Sequence, residues 1–182
     1  GPLQYPNVAT PGAANSFSFH DGIVINEIMY HHIDNPASAA IDPTYDTTEL
    51  IGLDGLWRFN ATGQGLPTGW QTTAHAIGGG WLQGAGLIGY EPGAVPAPGL
   101  GTTLPNPLST NPFVTTYYFE TEFTLTASQL ANLDVLWLQH VIDDGAVFYI
   151  NGQEVGPRFN MAEGGFSSAT LASSGVDNAV LS

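Results

Sequence analysis

Apolar and polar residues alternate most regularly between positions 115 and 125. Every second residue on one side of this stretch is aromatic or aliphatic, while Glu120 and Glu122 share the other side with Tyr118 and Thr124. A period of two is typical of a β-strand with one buried and one solvated face. The pattern predicts a strand over residues 115–125 whose two glutamates point to water.

Further strands are predicted where short apolar or β-branched runs end in turn residues. They cover residues 23–30, 50–53, 56–59 and 133–141. The glycine-interrupted apolar run at 81–90 predicts either a bulged strand or a loop packed on the sandwich. The run at 133–141 is apolar on both faces, so we expect it to be a central strand with Trp137 in the core. Long helical periodicity is missing, and a single helical turn is predicted over residues 126–132, opened by a Ser or Thr cap.

The strongest local signal is Asn151-Gly152 between the apolar runs 145–150 and 153–155. Both residues of a two-residue hairpin turn need a positive φ, which Asn and Gly tolerate best. The pattern predicts a β-hairpin. Residues 31–48, 63–80 and 91–112 are rich in turn residues and predict loops. Together these features predict an all-β protein.

The composition of the chain argues against several classes of function. The chain has 182 residues, enough for a single all-β domain, and it has no cysteine. It carries 16 acidic residues against two basic ones, Arg58 and Arg158, and its net charge is −14. Such a charge repels phosphate backbones and anionic lipids, so neither nucleic-acid binding nor membrane insertion is expected. No apolar run is long enough to span a bilayer.

Several motifs in the second half of the chain carry a resemblance to a known family. Leu56-Trp-Arg-Phe59, Thr116-Tyr-Tyr-Phe119, Leu136-Trp-Leu-Gln-His-Val141 and the hairpin resemble galactose-binding-like jelly-roll domains of secreted or surface proteins of planctomycete-type bacteria. The resemblance implies a jelly-roll β-sandwich over residues 54–182 and an extracellular or cell-surface location. Residues 23–30 resemble the opening strand of lamin-tail-like domains, which implies a separate unit over residues 20–53.

Two expectations follow for the ends of the chain. Residues 1–19 are predicted to be a flexible arm that begins with a tag remnant, Gly1-Pro2. The related domains continue with closing strands beyond the position equivalent to Ser182. The resemblance therefore implies a sandwich without its C-terminal strands, which a second chain or fragment would complete.

Asp143 and Asp144 are the candidate metal ligands. Two adjacent carboxylates followed by Gly145 could bind calcium, a cation that prefers oxygen ligands. Calcium-bridged sugar binding by an Asp-Asp pair is known in related β-sandwiches. The alternative is that both aspartates accept hydrogen bonds from turn amides.

The candidate ligand-binding residues combine aromatic, imidazole and guanidinium side chains that could contact a glycan. They are Trp70, Trp81, Tyr90, Tyr118, His140 and Arg158. Aromatic rings can stack on the apolar faces of sugars, although large aromatic residues also fill the interior of a sandwich. His140 lies close enough in sequence to Asp143 to face the same pocket.

The sequence leaves three functions to compare. The first is a non-catalytic carbohydrate-binding or adhesion module of a larger protein, and the second is a structural or assembly module without a glycan ligand. The third is a glycosidase fragment that uses Glu120 and Glu122, whose spacing suits a solvated strand face better than the two-sided arrangement of glycoside hydrolysis. A G-x-S-x-G motif and a lysine-containing phosphate loop are both missing.

Overall fold

The computed structural model describes residues 23–25, 47–176 and 179–182. The predicted arm at 1–19 and most of the loop at 31–48 lie outside the described residues. The structure is rich in β-sheet, as the sequence predicts. No helix among the described residues has the length and the apolar character needed to cross a membrane.

The described residues include the strands β1 (Ile23–Ile25), β2 (Leu56–Asn60), β3 (Trp81–Ala85), β6 (Tyr118–Phe123), β7 (Tyr149–Ile150) and β8 (Gln153–Glu154). These six strands form the larger sheet of the described part of the chain, in the order β3-β2-β6-β1-β7-β8, and neighbouring strands are antiparallel. The strand β1 lies between β6 and β7, so it hydrogen-bonds with two strands of the predicted jelly-roll segment. Two shorter strands, β4 (Ile88–Gly89) and β5 (Thr102–Thr103), pair in parallel.

Two local predictions are confirmed in detail. The turn residues Asn151 and Gly152 have φ angles of 50° and 79°, and they join β7 to β8 as a tight hairpin. The helix α1 (Ala127–Asn132) begins after Thr126, whose hydroxyl accepts a hydrogen bond from the Gln129 amide. The Gln129 side chain in turn accepts from the Thr126 amide, which completes a capping box.

Glycine allows the close approach of two segments at β3. A Cβ on Gly84 would collide with the side chain of Thr102, whose hydroxyl donates to the Ala85 carbonyl. The glycine-interrupted run at 81–90 therefore forms two short strands, β3 and β4, instead of one.

Two strand predictions are wrong. Residues 50–53 form bends and a turn, because Gly55 donates a hydrogen bond back to the Gly52 carbonyl. Residues 133–141 form no strand, and Trp137, expected in the core, is 59% exposed. The segment is apolar, but among the described residues its backbone has a partner only at its C-terminal end, where His140 pairs with Ser182.

The prediction of a solvated face on β6 is also wrong at its centre. The side chain of Glu120 is fully buried, whereas that of Glu122 is 46% exposed. The reason is that residues 70–75 cover this face of the sheet and bring His75 onto Glu120. The larger buried apolar residues are Phe59, Trp81, Leu104, Tyr118, Phe123 and Phe148.

Candidate functional site

Glu120 organises a polar cluster on the larger sheet. Its Oε1 atom accepts hydrogen bonds from Nε of Arg58 and from the backbone amide of His75, each at 2.7 Å. Its Oε2 atom lies 2.8 Å from Nδ1 of His75. Arg58 stands opposite Glu120 in the register of β2 and β6, so the strand pairing itself places the ion pair. Both carboxylate oxygens are therefore used inside the protein.

Arg58 joins the buried glutamate to the surface. Its second terminal nitrogen donates to Glu122 Oε2 at 3.0 Å. Burial alone would lower the pKa of Arg58, but the hydrogen bonds and charges of the two glutamates outweigh it and raise that pKa. The guanidinium is thus kept in its charged form by the buried carboxylate of Glu120 and the exposed carboxylate of Glu122.

Aromatic rings surround this cluster. The imidazole of His75 stacks on Trp81, with ring centroids 4.3 Å apart and planes 12° from parallel. Trp70 meets Tyr118 edge-on at 4.8 Å and lies 6.4 Å from Trp81. Edge-to-face and offset arrangements of this kind stabilise aromatic packing beyond the area they bury. The rings connect the polar cluster to a cleft on the neighbouring surface.

That cleft has a volume of about 770 Å³ and is open to solvent. Five of the eight residues predicted from the sequence line it: Trp70, Tyr90, Tyr118, Asp143 and Asp144. Tyr90 is 41% exposed, while Tyr118 is 8% exposed and forms part of the wall. Among the described residues that line the cleft, the charged ones are Glu91, Asp143 and Asp144, and all three are acidic.

The aspartate pair lies at the surface, and part of it already has a structural role. Asp144 Oδ1 accepts a hydrogen bond of 2.7 Å from the Val176 amide, and the Asp144 carbonyl accepts one from the Asn160 side chain. This matches the alternative in which aspartate satisfies backbone amides, although the amide lies 32 residues away instead of in a local turn. Among residues 47–176 and 179–182, no three acidic or histidine side chains group closely enough to hold a metal ion. Backbone carbonyls, water or sugar hydroxyls would have to supply the remaining oxygen ligands of a calcium site.

The other three predicted ligand-binding residues lie outside the cleft lining. Trp81 is 5% exposed and packs against His75 and Trp70. Arg158 binds Glu154 and the carbonyls of Ala162 and Gly164, so its donors hold the loop that follows it. The side chains of Trp81 and Arg158 thus contact other residues of the protein and do not line the cleft.

His140 is buried between Phe148 and Phe159, with ring centroids 5.9 and 5.1 Å away. Neither ring nitrogen has a hydrogen-bond partner in the described part of the chain. Desolvation by burial lowers the pKa of His140, which favours the neutral imidazole. Its ring faces the protein interior and not the pocket that its nearness to Asp143 suggested.

Sequence reasoning missed the cluster of Arg58, His75 and Glu120. One signal was available, because Arg58 is one of only two arginines and lies within an apolar strand, where a buried cation needs an acidic partner. His75 carried no such signal, because its loop gave no period by which to place it. No protein-family model matches the chain, and neither a curated protein nor a solved structure matches it.

Proposed function

We propose that the chain is a non-catalytic carbohydrate-binding or adhesion module of a larger extracellular protein, built on a galactose-binding-like jelly roll. The observation that supports this most is the convergence of Trp70, Tyr90 and Tyr118 with Asp143 and Asp144 on one cleft. Aromatic rings pack on the apolar faces of sugars, and carboxylates accept hydrogen bonds from sugar hydroxyls. The cleft supplies both kinds of contact.

The acidic side chains that line the cleft determine which class of glycan we propose as the ligand. The charged side chains lining the cleft are acidic, and the chain's two arginines are bound to glutamates elsewhere, Arg58 to Glu120 and Arg158 to Glu154. A uronic acid or a sulfated sugar would bring further negative charge next to these acidic side chains. A neutral glycan is therefore the proposed ligand.

Calcium is proposed as a bridge between Asp143 and the glycan. Both aspartates are exposed at the cleft, and a cation there would offset their mutual repulsion. Calcium can bind carboxylate, carbonyl and sugar hydroxyl oxygens at the same time. The Val176 amide occupies Oδ1 of Asp144 and leaves the second oxygen of that carboxylate for a cation.

A glycan array, probed with and without calcium, tests the proposal. The strongest neutral glycan is then titrated against Tyr90→Ala and a matched control, Phe113→Ala, which removes an exposed aromatic residue outside the cleft lining. We expect Tyr90→Ala to weaken binding roughly tenfold, since truncating an aromatic anchor costs about 1–2 kcal/mol. Absence of binding under both conditions, or equal loss in the two variants, would refute the proposal.

A structural or assembly module without a glycan ligand is the second candidate. The exposed apolar segment at 133–137 favours it, because Val135, Leu136 and Trp137 are each at least 40% exposed. Contiguous apolar surface of this kind commonly marks a protein contact. The two functions use different surfaces, and each can be tested alone.

A further inference from the structure

Part of the cleft wall is a segment without regular secondary structure. Residues 161–172 form bends and turns but neither helix nor strand, yet Met161, Phe166 and Leu171 all line the cleft. Phe166 is 42% exposed, and its side chain has no polar group. A large side chain in an irregular segment keeps one position only where other contacts hold it, because ordering the segment costs conformational entropy.

Arg158 supplies contacts of this kind. Its Nη1 atom donates to the carbonyls of Ala162 and Gly164, each at 2.7 Å, which fixes the backbone that leads to Phe166. Its Cζ atom lies over the Phe166 ring, 4.7 Å from the centroid and within the range of a cation–π interaction. One side chain therefore holds both the loop and the aromatic ring that the loop carries.

Glu154 holds the arginine in turn. Its Oε1 atom accepts a hydrogen bond from Nε of Arg158 at 2.7 Å, and its Oε2 atom accepts one from Nη2 at 3.3 Å. With the two carbonyls, these bonds use four of the five N–H groups of the guanidinium. Since Glu154 belongs to β8, the contacts run from a strand of the larger sheet through Arg158 to the cleft wall.

We propose that Phe166 is a further ligand-contacting residue of the cleft and that Arg158, which does not line the cleft, is its positioning residue. The guanidinium lies over one face of the ring, so the other face is the one that a ligand can contact. A phenyl ring offers no hydrogen bond, and the contact it makes is to the apolar C–H face of a sugar ring. The inference rests on the proposed carbohydrate function and deepens it.

The probe is the neutral oligosaccharide that binds the unmodified chain most strongly on the array, titrated calorimetrically against the whole chain. Phe166→Ala should weaken binding roughly tenfold, as expected for the truncation of an aromatic anchor. Phe113→Ala, at an exposed aromatic residue outside the cleft lining, should leave binding unchanged. Arg158→Lys keeps the positive charge but loses the planar fork of donors, so it should weaken binding by a factor similar to that of Phe166→Ala.

A double-mutant cycle separates positioning from general structural support. If Arg158 acts through Phe166, Arg158→Lys should weaken binding no further once Phe166 has been replaced by alanine. Combined with Tyr90→Ala, at a cleft residue on a different segment, Arg158→Lys should add its full effect. Glu154→Gln releases the arginine without changing the loop, and it should give the same pattern if Arg158→Lys fails to fold.

Two results would overturn this inference while leaving the carbohydrate function in place. They are unchanged affinity in Phe166→Ala, and a loss from Arg158→Lys that is as large without the Phe166 ring as with it. If no glycan binds the unmodified chain, the carbohydrate proposal itself fails and this inference fails with it. Binding by the unmodified chain therefore tells the two failures apart.

Discussion

Nδ1 of His75 lies 2.8 Å from Oε2 of Glu120, although 45 residues separate the two in sequence. The contact joins a loop to the centre of β6, and it occurs where the glutamate side chain is fully buried. A buried carboxylate is tolerated only when its oxygens are bonded, and here Arg58 and the His75 backbone supply the other bonds. The loop at 70–75 is thus held to the sheet by polar contacts as well as by aromatic packing.

Glu120→Gln should destabilise the protein strongly. The change removes the buried negative charge and leaves the Arg58 guanidinium, which is 20% exposed, without its inner partner. Removing one partner of a buried ion pair costs about 3–5 kcal/mol. Glu122→Gln is the matched control, because it removes the exposed partner of the same arginine and should cost less than about 1 kcal/mol. Urea denaturation measures the free energy of unfolding of both variants. Equal decreases in the two variants would contradict the assignment of Glu120 as the buried partner of Arg58.

The stability of the protein should decrease at mildly acidic pH because of His140. Burial lowers the pKa of His140 in the folded state below the unfolded value of about 6.5. Above pH 6.5 the imidazole is neutral in both states and contributes no pH dependence. Below pH 6.5 the unfolded chain binds a proton that the folded chain does not, so stability falls by at most about 1.4 kcal/mol per pH unit until the folded pKa is reached.

His140→Phe should remove this contribution. The variant places an apolar ring among Phe148 and Phe159, where neither imidazole nitrogen has a partner in the described structure. We expect unchanged or raised stability at pH 8 and a smaller loss between pH 6.5 and 5 than in the unmodified chain. Thermal unfolding across this range gives the comparison, and parallel pH curves for the two proteins would disprove the role of His140.

Gly152→Ala should weaken the β7–β8 hairpin. Gly152 has a φ of 79°, and an added Cβ would lie 2.8 Å from the Thr72 side chain. Left-handed backbone costs a residue with a Cβ about 1–2 kcal/mol, and the collision adds to that cost. Gly165→Ala is the control, because no atom of the described residues lies within 4 Å of its added Cβ and its φ is not positive. Chemical denaturation of both variants tests the difference, and a neutral Gly152→Ala would count against the turn geometry.

Millimolar calcium should raise the melting temperature if Asp143 and Asp144 hold the cation. A ligand that binds the folded state alone stabilises it in proportion to the logarithm of its concentration. Asp143→Asn should abolish the shift, whereas Asp54→Asn, at an exposed acidic residue outside the cleft lining, should preserve it. An unmodified protein whose melting temperature does not respond to calcium would rule the cation out at this concentration.

The candidate site was predictable in part. Trp70, Tyr90, Tyr118 and the aspartate pair were chosen from the sequence as residue types that can contact a glycan, and the structure places all five on one cleft. Their mutual proximity was not predictable, because they come from loops and strands that are distant in sequence. The same reasoning predicts Trp81 and Arg158 as ligand-binding residues, but in the structure Trp81 stacks on His75 and Arg158 binds Glu154.

By itself the sequence determined the local geometry, because local geometry depends on neighbours along the chain. Asn151-Gly152 specified a positive-φ turn, and Thr126 with Gln129 specified the start of a helix. Only the tertiary structure decided that Glu120 is buried and that Trp137 is exposed. Burial depends on which distant segment covers a face, and a period of two identifies two faces without saying which of them another segment will cover.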